Sequence, residues 1–190
     1  MNRIGALCVL LMLSGCASSM ESVQSDFGPA QMEKKAGGYN LRNRRITATI
    51  DEQTGQLSFA SIVTSLPFTK SNCLFSTGED STPVGGYVES RDAETWQYIG
   101  QSKDGKFGWR IVYCLYYDQL NVTYIVQNKS REPITGHIIL QHVSPVPVQV
   151  FNEDQSVNPR QSDGSLRSDE RTLQPDERIN MATRWTLAPQ

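Results

Sequence analysis

The sequence predicts an all-β protein: a single antiparallel β-sandwich preceded by a signal peptide and a flexible tether. Three observations carry that expectation. Over residues 106–117, Phe107, Trp109, Ile111, Tyr113, Leu115 and Tyr117 alternate with Gly108, Arg110, Val112, Cys114 and Tyr116. That period of two sorts residues onto opposite faces of a strand. Leu120, Val122, Tyr124 and Val126 repeat it after an Asp118-Gln119 turn, so the two segments read as a hairpin at the centre of a sheet. No convincing amphipathic helix and no internal repeat occurs, and many short strands with closely spaced turn signals mean a sandwich or barrel.

Taken in order, residues 1–15 form a short secretory signal. Arg3 supplies the positive start and residues 4–13 the apolar run, which falls short of the roughly 20 residues a membrane-crossing helix needs. Leu13-Ser14-Gly15-Cys16 resembles the lipobox of bacterial lipoproteins. The resemblance implies cleavage before Cys16 and acylation of its thiol and amine. Ala17 follows where an Asp would imply inner-membrane retention, so the expected location is the outer membrane, lipid-anchored and facing the periplasm. Several acyl chains, at about 0.8 kcal/mol per buried methylene, make such an anchor effectively permanent. Residues 16–38 read as the lipidated N-terminus and tether, rich in Ser, Gln, Glu, Lys and Gly, a coil that spans roughly 25 Å. The β-sandwich domain is expected over residues 39–190.

Within that domain, Ile46, Ala48 and Ile50 alternate with Thr47 and Thr49. Asp51-Glu52-Gln53-Thr54-Gly55 makes a turn, and Leu57 and Phe59 resume the alternation. Ile62 is out of phase, which predicts a bulge or the strand's end near Ser61. Residues 65–81, broken by Pro67 and Gly78, leave one short strand around residues 73–75. Residues 84–89 and 94–99 add two strands, and residues 134–143 another after a turn at 128–133. Residues 146–150 alternate valines with Pro147 beside Pro145, which fits an edge strand. Residues 152–170 are polar, with Pro159 and Gly164; a loop that long is either functional or disordered. Ile179, Met181, Trp185 and Leu187 share one face of a closing strand.

Charge and motifs exclude several function classes. A net charge of −2 without a basic run argues against a nucleic-acid partner. Of the four cysteines, Cys8 leaves with the signal and Cys16 carries lipid. Cys73 and Cys114 then read as a disulfide in an oxidising compartment, worth about 4 kcal/mol, with two separate buried thiols as the alternative. No Gly-x-Ser-x-Gly elbow, phosphate loop, His-Glu-x-x-His or Cys-x-x-Cys occurs, so no catalytic residue, cofactor or metal is assigned. His137 and His142 are five positions apart on one expected strand and face opposite sides, as sheet histidines rather than a catalytic or metal pair. Asp154, Asp163, Asp169 and Glu170 lack calcium-loop spacing and read as a solvated loop. Trp96 and Tyr98 share a face, as do Trp109, Tyr113 and Tyr117. Such rings form either a sugar-stacking platform or the core of a sandwich. Tyr116, opposite Trp109, is the ring expected to be exposed.

A second resemblance rests on Arg42-Asn43-Arg44-Arg45-Ile46 running to Asp51, on Thr54-Gly55-Gln56-Leu57, and on Leu120-Asn121-Val122-Thr123-Tyr124-Ile125-Val126-Gln127-Asn128. With the closing Leu173-Gln174-Pro175-Asp176-Glu177, these resemble fragments of galactose-mutarotase-like β-sandwiches. That family uses a His acid and a Glu base. His142 stands where its His would come, no glutamate matches the base, and the chain is far shorter than a full epimerase. The expected role is therefore a non-enzymatic binding or assembly accessory of the cell envelope with a protein partner, docking through the edge at 146–150 or the loop at 152–170. A carbohydrate-binding module using Trp96, Tyr98 and Tyr116, or a small mutarotase-like enzyme using His142, are the alternatives.

Overall fold

Alternation becomes register in the computed structural model, which describes residues 29–61, 69–92, 94–116, 119–142, 148–151, 157–158 and 165–186. In chain order the strands are β1 (Gln31–Lys35), β2 (Gly38–Arg42), β3 (Ile46–Asp51), β4 (Leu57–Ser61), β5 (Thr69–Ser76) and β6 (Asp80–Ser81). They continue with β7 (Pro83–Ser90), β8 (Thr95–Ser102), β9 (Phe107–Tyr116), β10 (Gln119–Asn128) and β11 (Ile134–His142). The last are β12 (Val148–Phe151), β13 (Val157–Asn158), β14 (Leu166–Arg167), β15 (Arg171–Leu173) and β16 (Arg178–Thr186). No helix among the described residues is long and apolar enough to cross a membrane.

The strands form two antiparallel sheets packed face to face, an all-β sandwich. One runs β13-β12-β16-β10-β9-β8-β7. The hairpin read from the sequence is its centre: β9 pairs with β10 through Tyr113↔Val122 and Trp109↔Val126, and β16 and β8 flank it. The other sheet runs β1-β2-β3-β4-β5-β11-β14, with β6 on β5 and β15 on β11. Inward-facing residues of both sheets make one core, in which Trp185, Tyr98, Tyr113, Tyr124, Phe59 and Phe75 are the largest fully buried side chains. Two ring pairs cross between the sheets, Phe59–Trp185 at 5.9 Å and Phe75–Phe107 at 4.9 Å. Tilted pairs of this kind contribute about 0.5–1.5 kcal/mol beyond the area they bury.

The Asp51-to-Gly55 turn does more than reverse the chain. Asp51 accepts from the amides of Gln53 and Thr54 at 3.0 and 2.8 Å, which fixes the turn locally. Two phenols of the opposite sheet then hold it down: Tyr98 donates to the Gln53 carbonyl and Tyr113 to the Gly55 carbonyl, both at 2.9 Å. Gly55 has φ +63, and a Cβ there would stand 2.8 Å from Tyr98 Cδ1, so glycine is required twice over. A second knot forms at Asn128, which is fully buried. Its Nδ2 donates to the Glu132 and Leu173 carbonyls and its Oδ1 accepts from Ser130, while its backbone pairs with Asp176 and Glu177. The Leu120-to-Asn128 and Leu173-to-Glu177 segments, separate in sequence, therefore meet.

Several sequence expectations change. β1 lies inside the stretch that composition assigns to the tether; its Gln-Met-Glu-Lys-Lys run is a charged edge strand, the kind that resists further pairing. Residues 73–75 belong to the longer β5. β4 is described as far as Ser61, and Ile62, where the phase break predicts a bulge or the strand's end, lies outside the described residues. The edge expected at 146–150 is covered by the chain's own β13, through Val150↔Asn158 and Phe151↔Val157, so β12 offers no free ladder at those residues. The Cys73–Cys114 disulfide is not formed: both thiols are free. The reason is the pleat. Cys73 joins the core from β5, whereas Cys114 alternates with the core residues Tyr113 and Leu115 and points out of the opposite sheet. The seven-stranded sheet itself stands between them. Cys16 and the lipobox lie outside the described residues, as do Asp154, Asp163 and Tyr117.

Candidate functional site

The aromatic residues first singled out are structural. Trp96 is 3 % exposed and Tyr98 fully buried, so neither ring can stack on a sugar, and of the two readings of these rings the sandwich core is the one the structure takes. Burial pushes the Tyr98 phenol up to about 12, with Asp51 nearby adding to the shift. Burial likewise raises Tyr113 and Tyr124. Tyr116 does reach solvent, with 36 % of its surface exposed. The backbone of His142 pairs with Ser71; its side chain, and with it the acid role the resemblance implied, lies outside the described residues. His137, on the same strand as His142, pairs with Ser76 of β5. Asp169 and Glu170 are exposed, and no group of three or more His, Cys, Asp or Glu that could hold a metal occurs among the described residues. Burial pushes the Cys73 thiol far up. Burial also raises the Cys114 thiol, with Glu94 and Asp92 adding to it against a Thr95 hydrogen bond, the opposite of what activates a cysteine nucleophile.

What the structure does build is a groove on the outer face of the seven-stranded sheet, with a volume of about 460 Å³. The same alternation that sends Trp109, Ile111 and Tyr113 inward sends Gly108 and Arg110 outward. Across the ladder Gly108 stands opposite Gln127, and Arg110 opposite Ile125. Ile99 pairs with Arg110 from the other side, and Arg178 pairs with Gln127. Ile99 and Ile125, both half-buried, therefore form an aliphatic floor, while the exposed Arg110, Lys129 and Arg178 stand around it. Gly108 makes room for this arrangement. A Cβ at 108 would sit 3.3 Å from Lys129 Cε, whose stem lies across the strand.

The groove is electropositive on a chain whose net charge is −2. Lys129 Nζ lies 3.8 Å from the carboxylate of Asp176, which is 79 % exposed. A pair that open to water contributes about 0–1 kcal/mol and leaves most of the positive potential in place. Arg110 and Arg178 take no ion-pair partner among the described residues. Gln127 Nε2 donates to the Asp176 carbonyl at 3.1 Å, which steadies the groove's lip.

The outward direction of Arg110 was readable from the strand pattern; its meeting with Lys129 and Arg178 was not, because pairing of β16 to β10 brings them together. No protein-family model matches the chain, and no curated protein matches it.

Proposed function

We propose that the protein is a lipid-anchored accessory of the bacterial cell envelope, held at the outer membrane through Cys16, facing the periplasm and binding a protein partner without catalysing a reaction. The observation that carries the binding half of this reading is the open groove on the outer face of the seven-stranded sheet, where half-buried aliphatics and exposed arginines coexist. Exposed apolar area rimmed by polar groups marks interaction surfaces. Tyr87 and Val84 extend it toward the β7 edge, at 51 % and 38 % exposure. The anchoring half rests on Leu13-Ser14-Gly15-Cys16.

Two measurements test the reading. Metabolic labelling with palmitate is expected to mark the protein and to miss the Cys16→Ser variant; equal labelling of both rejects the anchor. Crosslinking of the full lipoprotein in envelopes, followed by mass spectrometry, is expected to return one recurrent stoichiometric protein. Recovery of glycan fragments alone, or of nothing, rejects the protein partner.

A further inference from the structure

We propose that the groove over Ile99 and Ile125 takes an extended acidic peptide, in which carboxylate side chains alternate with aliphatic ones, and that this is the segment of the protein partner the chain recognises. The proposal rests on the accessory reading and names the chemistry of its site.

Three features select this occupant. The cations Arg110, Lys129 and Arg178 answer a negative ligand, and the guanidiniums of Arg110 and Arg178, which take no ion-pair partner among the described residues, offer planar, bidentate donors to carboxylates. Arg110 and Arg178 lie two strands and two residues apart in the ladder, roughly 12 Å between Cα atoms from sheet spacings. That is wide for one small anion, whereas alternate side chains of an extended segment recur about every 6.8 Å, so two carboxylates can each meet one arginine. Between the arginines Ile125 supplies the apolar contact, and the exposed Gln101 lines the same groove with an amide that can meet a peptide backbone. An anionic bilayer fits less well. The groove is concave, and a flat lipid surface would meet the exposed Asp176 carboxylate together with Lys129, 3.8 Å away. A nucleic acid would need more phosphate contacts than three cations supply.

The test uses the full lipoprotein in detergent and a fluorescent peptide, Glu-Leu-Glu-Leu-Glu, against its Lys-Leu-Lys-Leu-Lys counterpart. The acidic peptide is expected to bind, to weaken as salt is raised, and to lose about tenfold or more in affinity to an R110E/R178E variant. An R110Q/R178Q variant with unchanged thermal midpoint guards against misfolding and is expected to lose affinity in the same direction. Equal binding of the two peptides, wild-type affinity in both variants, or no acidic-peptide binding overturns the proposal. So does groove-dependent binding confined to inorganic phosphate or phosphatidylglycerol vesicles. Crosslinking from envelopes with wild type and R110E/R178E separates this from the accessory reading. The same partner recovered by both proteins removes the groove and leaves the accessory role. Peptide binding through the groove with no recovered partner removes the accessory role and leaves the groove.

Discussion

The two faces of β9 come from one run of residues and have opposite chemistry. Trp109, Ile111, Tyr113 and Leu115 are almost wholly buried, while Gly108, Arg110, Val112, Cys114 and Tyr116 are half-buried or exposed. On the inner face every large side chain is committed to packing, and the phenols of Tyr98 and Tyr113 tie the Asp51-to-Gly55 turn to the sheet opposite. On the outer face Arg110 and Arg178 take no ion-pair partner among the described residues, and Lys129 has only the exposed Asp176. Stability and recognition are thus divided by the pleat rather than by distance, and neighbouring residues of one strand serve different ends.

Inner-face substitutions should have the largest effect. Trp96→Ala removes a ring that is 3 % exposed and is expected to cost about 3–5 kcal/mol; a urea unfolding curve measures it, and a loss below 1 kcal/mol (about the effect of a surface change) would erase the contrast. Gly55→Ala should follow at about 1–3 kcal/mol, because φ is +63 and the new methyl meets Tyr98 and Ile111. A normal unfolding midpoint would mean the turn does not dock on the phenols.

Alkaline pH probes the same face. Tyr98 holds its proton up to about 12, and Tyr113 and Tyr124 are raised as well, against about 10 for an exposed phenol. As pH rises past that ordinary value, the unfolded chain loses these protons and the folded chain keeps them. The unfolded state then binds fewer protons, so stability falls from about pH 10 upward and is fully present below it. Phenolate absorbance should climb together with loss of circular dichroism for these residues; full ionisation of all tyrosines in a still-folded chain would contradict their burial.

The smallest effects belong to the outer face and to the thiols. Arg110→Gln is expected to leave stability within about 0.5 kcal/mol, and a larger loss would make that arginine structural. Reductant should not move the unfolding midpoint, since Cys73 and Cys114 are unbonded. A drop equivalent to about 4 kcal/mol would restore the bridge.

By itself the sequence determined the all-β class, the central β9–β10 hairpin and the Asp51 turn. Each of these is written in local periodicity or turn chemistry, which act between near neighbours. It also determined that Tyr116 would face away from Trp109. Only the tertiary structure decided that Trp96 and Tyr98 are core, because an aromatic face looks the same whether a second sheet or solvent lies against it. It alone decided that Cys73 and Cys114 stand apart, since oxidising surroundings favour a bridge but say nothing of which face each thiol takes. The covering of β12 by β13, and the convergence of Arg110, Lys129 and Arg178 over Ile125, arise from pairings between segments distant in sequence. Such pairings are fixed by which faces must be buried together, a condition that no local stretch of chain expresses.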